Sequence, residues 1–466
     1  MRKTRLLANT ALLSASSLLM SGIALLVQVW LARRLGAAGL GLVQLVASVC
    51  ALAATLAISG VRFASTRLIA EELGHGRSSQ IPGALRRCLA YAAVFGAASA
   101  ALLFACAGPI GRQWIGDART VSALRLSAFS LPCVSLCAAA SGYFTAVGRL
   151  LRVTLIHLAE QLLGVLFVAL LLRRAPDGDL AAGCAAVSGG RMLADLAALL
   201  LMLLALGEDC ARHFPRDRPG ENRTRRLVSI ALPLAFSAYA RSGLNTAQHL
   251  LIPRGLRAAG YRAEEALAGY GVVHGLVLPA LLFPSCLLAS AAELMVPELT
   301  LVQARRDAPG IRRAVRSFLG LSLLYAVAVA AALFLAAGFL GRRVFHSAEA
   351  ARYLRLLTPL VPVMYLDMCV DGCLKGLGQQ LWSMGVNVVD SLTGLVLVLA
   401  LLPRYALEGY LFTVFFTETL NFLLSAGRLY RCLRSGGVPA SSRRCGAGSA
   451  RCAYTADRSA ANPPLP

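Results

Sequence analysis

Polar positions are the exception along this chain. Apolar runs of about twenty residues follow one another from the N-terminus to residue 430, separated by short clusters of arginine, glycine and proline. Runs of that length cross the hydrocarbon core of a bilayer as helices, because in lipid only a helix or a closed barrel satisfies every backbone group. No strand-like alternation competes with helix, so the pattern predicts a polytopic helical bundle. Twelve spans fit, at 8–31, 40–60, 88–110, 124–147, 151–172, 180–206, 228–252, 266–292, 317–340, 354–374, 381–402 and 408–430. The first starts after MRKTR and is too long for a signal-peptide core of roughly 7 to 15 residues. It is read as span 1.

The pattern also repeats. LRLSAFSLP at 124–132 returns as LRLLTPLVP at 354–362, and the offset of 230 pairs Pro132 with Pro362, Gly142 with Gly372, Gly148 with Gly378, Gly164 with Gly394 and Arg174 with Arg404. Leucine matches mean little in so apolar a chain. Glycine, proline and arginine carry backbone or solvation consequences inside a membrane, so their shared spacing implies shared geometry. Upstream, LARRLGAAG at 31–39 resembles IPRGLRAAG at 252–260 at an offset of 221, and after about nine inserted residues Gly41 and Val43 fall on Gly271 and Val273. The expected organisation is an N-terminal six-helix lobe at 1–206, a cytoplasmic linker at 207–227, a C-terminal six-helix lobe at 228–432 and a disordered cytoplasmic tail at 433–466. An even number of spans in each half makes the two repeats parallel, a plan in which transporters place substrate between the halves.

Composition agrees with the pattern: 57% of the 466 residues are hydrophobic and 15% charged, and the mean hydropathy is +0.66. The formal charge of +23 would suggest nucleic acid in a soluble protein. Here topology accounts for it. With the N-terminus inside, 27 Lys and Arg fall in cytoplasmic segments and 13 in external loops, the bias expected of a cytoplasmic-membrane protein with both termini inside. Nucleic acid is therefore not an expected partner. The thirteen cysteines are scattered through apolar segments without a CxxC pair, and Cys133 with Cys137 and Cys369 with Cys373 read as packing residues.

Charged side chains inside spans are the candidates for function, since each costs at least about 2.5 to 3.5 kcal/mol in lipid unless it meets a cavity or a partner. Glu160 and Asp390 occupy one repeat position, 230 apart. Arg241 heads a polar stripe on span 7 with Asn245, Gln248 and His249. Arg191 and Asp195, four apart on span 6, can neutralise one another, whereas Asp367 and Asp371, four apart on span 10, repel and need water, a cation, a proton or an arginine. Glu418 and Asn421 share span 12. For every one of these a packed structural contact is the competing reading. Enzyme chemistry finds no support: there is no nucleotide-binding glycine loop, no HExxH and no GxSxG, the six histidines lack ligand spacing, and no cofactor or metal is called for.

Several stretches carry a family resemblance. LARRLGAAGLGLVQL at 31–45, SGVRFASTRLIAEEL at 59–73, GYFTAVGR at 142–149 and AEQL at 159–162 resemble the polysaccharide-export branch of the multidrug/oligosaccharidyl-lipid/polysaccharide flippase superfamily. LIPRGLRAAGYRAEEALAGYGVVHG at 251–275, FPSCLLASAAELMVPEL at 283–299 and LKGLGQ at 374–379 resemble its stage V sporulation protein B group. The resemblance implies two six-helix lobes around a V-shaped central cavity, membrane lipids as surroundings, and translocation of a lipid-linked oligosaccharide or peptidoglycan precursor for cell-wall or spore-cortex synthesis, coupled to the membrane potential or a cation. An anionic pyrophosphate cargo calls for cavity cations, for which Arg241, Arg62 and Arg67 are the candidates, with Asn245 and Gln248 beside them; Glu160, Asp390, Asp367 and Asp371 are the candidate coupling or cavity carboxylates. The chain departs from the group in having about twelve spans instead of fourteen, and in lacking an arginine within span 1. A cation-coupled multidrug exporter of the same superfamily is the alternative, but those resemble one another in carrying a carboxylate in span 1, and residues 8–31 have none. A membrane-embedded glycan ligase or polymerase would show large external loops, and those here are short.

Overall fold

The computed structural model describes residues 2–74, 80–176, 178–213, 224–304 and 307–434. Much of the expected linker and nearly all of the expected tail lie outside the described residues. Fourteen α-helices follow in order: α1 (Arg2–Ile58), α2 (Val61–Gly74), α3 (Ile81–Pro109), α4 (Val121–Ala146), α5 (Leu150–Arg174), α6 (Leu180–His213), α7 (Thr224–Ala258), α8 (Ala263–Gly271), α9 (Leu278–Leu282), α10 (Cys286–Ala304), α11 (Ala308–Phe339), α12 (Ala348–Leu357), α13 (Val361–Gly376) and α14 (Gln380–Arg434). No strand occurs among the described residues.

Among the described residues ten helical stretches are long and apolar enough to cross a membrane, two fewer than the expected twelve. The difference lies in two merged pairs. A 57-residue α1 would be roughly 85 Å long at 1.5 Å per residue, against about 30 Å of hydrocarbon. It carries a non-helical residue at Gly36 (φ 71°, ψ 173°), and the 55-residue α14 carries one at Ala406 (φ 49°, ψ −133°). Each therefore holds two spans joined by a sharp bend, which restores twelve crossings. Spans 2 and 8 also run past their expected ends, span 2 into α2 and span 8 through α9 and a 3-10 turn into α10, where the helical chain continues to Gln303.

The offset of 230 is visible in three dimensions. Spans 3 and 9 both end in a π-helical turn, Ile110–Ile115 and Leu340–Val344, closed by matching bonds: Asp117 N donates to Gly111 O at 2.9 Å, and Ser347 N to Gly341 O at 2.8 Å. The turns after spans 4 and 10 match as well. Gly148 (φ 77°) and Gly378 (φ 73°) adopt the left-handed backbone that glycine alone tolerates freely, while Arg149 N donates to Phe144 O and Gln379 N to Leu374 O, both at 2.8 Å. Two satellite cores are one core repeated. Ile69, Ile81, Leu85, Ala140, Tyr143 and Phe144 cluster in the first half, and Leu299, Ile311, Val315, Val370, Cys373 and Leu374, each 230 further on, cluster in the second.

One contact relates the halves directly. A Cβ on Gly41 would stand 2.2 Å from Leu267 O, and a Cβ on Gly271 would stand 2.2 Å from Ala37 O. Since 41 pairs with 271, and 37 and 267 each lie one helical turn before those glycines, the contact is its own mirror under exchange of the halves, as at a two-fold axis. Without water to drive helices together, close approach of backbones at small residues is what holds membrane helices.

Candidate functional site

Span 7, in α7, lies against both halves. One face meets span 2 of the first half: Tyr239 Oη donates to Ser59 Oγ at 2.6 Å, Thr55 Oγ1 to Ser242 Oγ at 3.3 Å, and Thr246 Oγ1 to Ser48 O at 3.0 Å. Another face meets span 11, in the first part of α14, where Ser391 Oγ donates to Asn245 Oδ1 at 2.8 Å and the Gln248 amide lies over Gly394. Asn245 thus bonds α7 to α14, and Gln248 packs between them. Arg241 sits one turn before Asn245 on the same stripe, exposed, with no hydrogen-bond or ion-pair partner among the described residues.

Arg62 and Arg67 lie elsewhere, on α2. Arg62 is exposed, and Arg67 Nε bonds Glu71 at 3.3 Å. Glu71 also receives Arg226 Nη2 of α7 at 2.9 Å, so it ties span 2 to span 7. The three candidate arginines thus lie on two helices, Arg62 and Arg67 on α2 and Arg241 on α7.

The candidate carboxylates sit in two groups, one per half. In the first half, Glu160 Oε2 lies 2.9 Å from His157 Nδ1, and Asp195 has Glu160 and Ser130 as polar neighbours. Arg191 is within electrostatic range of Asp195, but no ion pair closes between them, contrary to the pairing their spacing suggests. Arg191 is exposed instead. In the second half, Asp367 of span 10 has Asp371, Asp390 of span 11 and Glu418 of span 12 within electrostatic range, and Glu418 also has Asp390. Lys375 Nζ holds Asp371 at 2.6 Å, and Ser383 also donates to it. Asp367 Oδ1 and Asp390 Oδ1 are buried without a hydrogen-bond partner among the described residues. No three His, Cys, Asp or Glu among the described residues are disposed to hold a metal ion.

Beside this acidic group lies a network that sequence reading touched only at His249. Tyr270 Oη is 3.1 Å from His249 Nδ1, Tyr410 Oη is 2.7 Å from His274 Nε2, and the two imidazole centroids are 4.8 Å apart. It joins spans 7, 8 and 12, and Tyr410 has Glu418 as an electrostatic neighbour. The signal was present in YGVVH at 270–274, which puts a tyrosine and a histidine on one face of an apolar span.

Residues 6–278 match the family described as polysaccharide biosynthesis protein, more than half of the chain. The chain belongs to that family. A second family, MatE, matches residues 256–400. Among curated relatives of this polysaccharide biosynthesis family member, stage V sporulation protein B of Bacillus subtilis is 23% identical over 444 residues, spanning 93% of this chain and 85% of that protein. Sporulation protein YkvU of Bacillus subtilis is 26% identical over 159 residues, 34% of this chain and 36% of that one. Solved structures share the fold at low identity. An inward-facing multidrug resistance MATE family transporter of the MOP superfamily superposes with a TM-score of 0.69 at 14% identity, over 91% of this chain and 95% of that one. A MOP superfamily transporter from Pyrococcus furiosus gives 0.64 at 14%, over 92% and 96%. The protein is accordingly a multi-pass cytoplasmic-membrane protein of the polysaccharide biosynthesis family, with the fold of those MOP superfamily transporters.

Proposed function

We propose that this protein is a flippase that carries a lipid-linked oligosaccharide or a peptidoglycan precursor across the cytoplasmic membrane, its two lobes, 1–206 and 228–432, opening alternately to either side. The observation that carries the reading is Arg241: a guanidinium in mid-span, on the helix that touches both halves, with no carboxylate among the described residues to neutralise it. A cation left unpaired at that depth is paid for by function. Its planar fork suits two oxygens of a pyrophosphate in a way a lysine ammonium does not. Full-length similarity to stage V sporulation protein B supports a cell-envelope cargo. In this reading the second-half carboxylates Asp367, Asp371 and Asp390, and Glu160 in the first half, take up the coupling proton or cation, and Asn245 and Gln248 hold span 7 in register beneath Arg241.

The test is flipping of a fluorescent lipid-linked saccharide in proteoliposomes. Arg241→Ala is expected to abolish flipping, and Arg241→Lys to reduce it, in protein that inserts and melts normally. Normal transport per folded molecule in the alanine variant would refute the assignment. The MatE match over residues 256–400 and the acidic second half favour one alternative, a cation-coupled drug exporter. Efflux of a cationic dye from the same vesicles, lost in Asp367→Asn and indifferent to Arg241→Ala, would establish that alternative.

A further inference from the structure

At the face where spans 1, 3, 7 and 9 end, opposite the N-terminus, each half reaches across to the other. Arg33, just beyond span 1, donates from Nη2 to Val344 O at 2.9 Å, in the π-turn that ends span 9. Arg254, near the end of α7, donates to Gln113 O in the π-turn that ends span 3, and Arg257 Nη2 follows to Ile115 O at 3.3 Å. Arg33 and Arg254 are equivalent in the LARRLGAAG and IPRGLRAAG match, and residues 113–114 are equivalent to 343–344. One contact has thus been made twice, once in each direction. Nearby, the Gly41 and Gly271 backbones touch Leu267 O and Ala37 O.

We propose that Arg33 and Arg254 form a two-part latch that closes the transporter at this face and releases when the lobes part. The inference rests on the alternating-access reading above. Its chemistry is that of a helix end: the last carbonyls of spans 3 and 9 have no partner within their own helix and carry the negative end of its dipole, so a guanidinium from the opposite lobe is well placed to cap them. The acceptors are neutral carbonyls and the bonds are solvent-exposed. Such bonds are strong enough to bias a face closed and weak enough to break in every cycle, as a buried ion pair is not. With water as the alternative partner for both sides, release strands no buried charge.

The test is hydrogen exchange followed by mass spectrometry on the full chain in nanodiscs. In the double variant Arg33→Gln/Arg254→Gln, amides of residues 37–42 and 266–272 are expected to exchange about tenfold faster, a modest rise for two bonds lost because both are solvent-exposed and water replaces them. Each single variant should give a smaller increase in both segments, because the lobes separate as units. Arg112→Gln removes an exposed arginine near the same face that has no partner among the described residues, and should change neither segment. Unchanged exchange would overturn the proposal. So would an increase confined to 112–117 and 342–347, which would make the arginines local caps with no hold on the lobes. Should the glutamine pair fail to insert, Arg33→Lys/Arg254→Lys carries the same test, with a smaller rise expected in the same two segments. No substrate enters the measurement, so a faster-exchanging variant of a protein that flips no saccharide would leave the latch standing and sink only the cargo.

Discussion

Gly41→Ala is the sharpest test of the inferred two-fold contact between the halves. The added methyl would lie 2.2 Å from Leu267 O, about 1.2 Å inside the 3.4 Å where ordinary contact begins, and the obstacle is backbone. No side chain can swing aside. Either span 2 and span 8 separate by about an ångström or the local helices distort, and overpacking of this kind costs about 1 to 3 kcal/mol. Gly271→Ala meets Ala37 O at the same distance and should cost a similar amount. Because one displacement of the helices relieves both clashes, the double variant should fall short of the sum of the singles by about 1 kcal/mol. Detergent-titrated unfolding measures all three, with Gly320→Ala and Gly427→Ala as references: both are helical with open space around the new methyl, and should gain about 0.5 to 1 kcal/mol. A Gly41→Ala variant that behaves like those references, or a double variant that is strictly additive, would refute the reciprocal contact.

Three further outcomes are expected. Asp209 is 1% exposed and bonded by Tyr143, Arg149 and Arg152; Asp209→Ala should cost about 3 to 5 kcal/mol in the same unfolding titration, because it leaves arginines and a phenol uncompensated. Tyr410→Phe removes the hydroxyl that faces His274 Nε2 and should cost about 1 to 3 kcal/mol for the imidazole left unmatched, whereas Tyr405→Phe, at an exposed position, should be neutral. Glu71→Gln weakens the tie between Arg67 on α2 and Arg226 on α7; these pairs are half exposed, so stability should change by less than about 1 kcal/mol, and a larger loss would mean that the span 2 and span 7 contact is held mainly by charge.

The membrane made much of this protein legible from its residues. A solvent that accepts no backbone hydrogen bonds leaves an apolar run of twenty residues no choice but a helix, so span positions followed from composition along the chain. The duplication was legible because glycine marks backbone that other residues avoid. Gly148 and Gly378 are both left-handed in matching turns, and Gly41 and Gly271 lie where no Cβ fits. The candidate sites were legible only as a list of expensive residues. Asn245 and Gln248 shared a stripe with Arg241, yet the first two pack on span 11 while Arg241 has no partner among the described residues. Arg191 and Asp195 had the spacing of an ion pair and do not make one: Asp195 has Ser130 and Glu160 as polar neighbours, while Arg191 is exposed.

What the sequence determined by itself was therefore local and periodic: helix where hydrocarbon demands it, and repeat where glycine, proline and arginine recur at 230. What only the tertiary structure decided was partnership across distance. Arg33 meets a carbonyl 311 residues away, His274 meets Tyr410 across 136, and Gly41 meets Leu267 through the inferred axis. Such pairings depend on how each helix is rotated and how closely its neighbour approaches, which are set by the packing of all spans together and leave no periodic trace in any one of them.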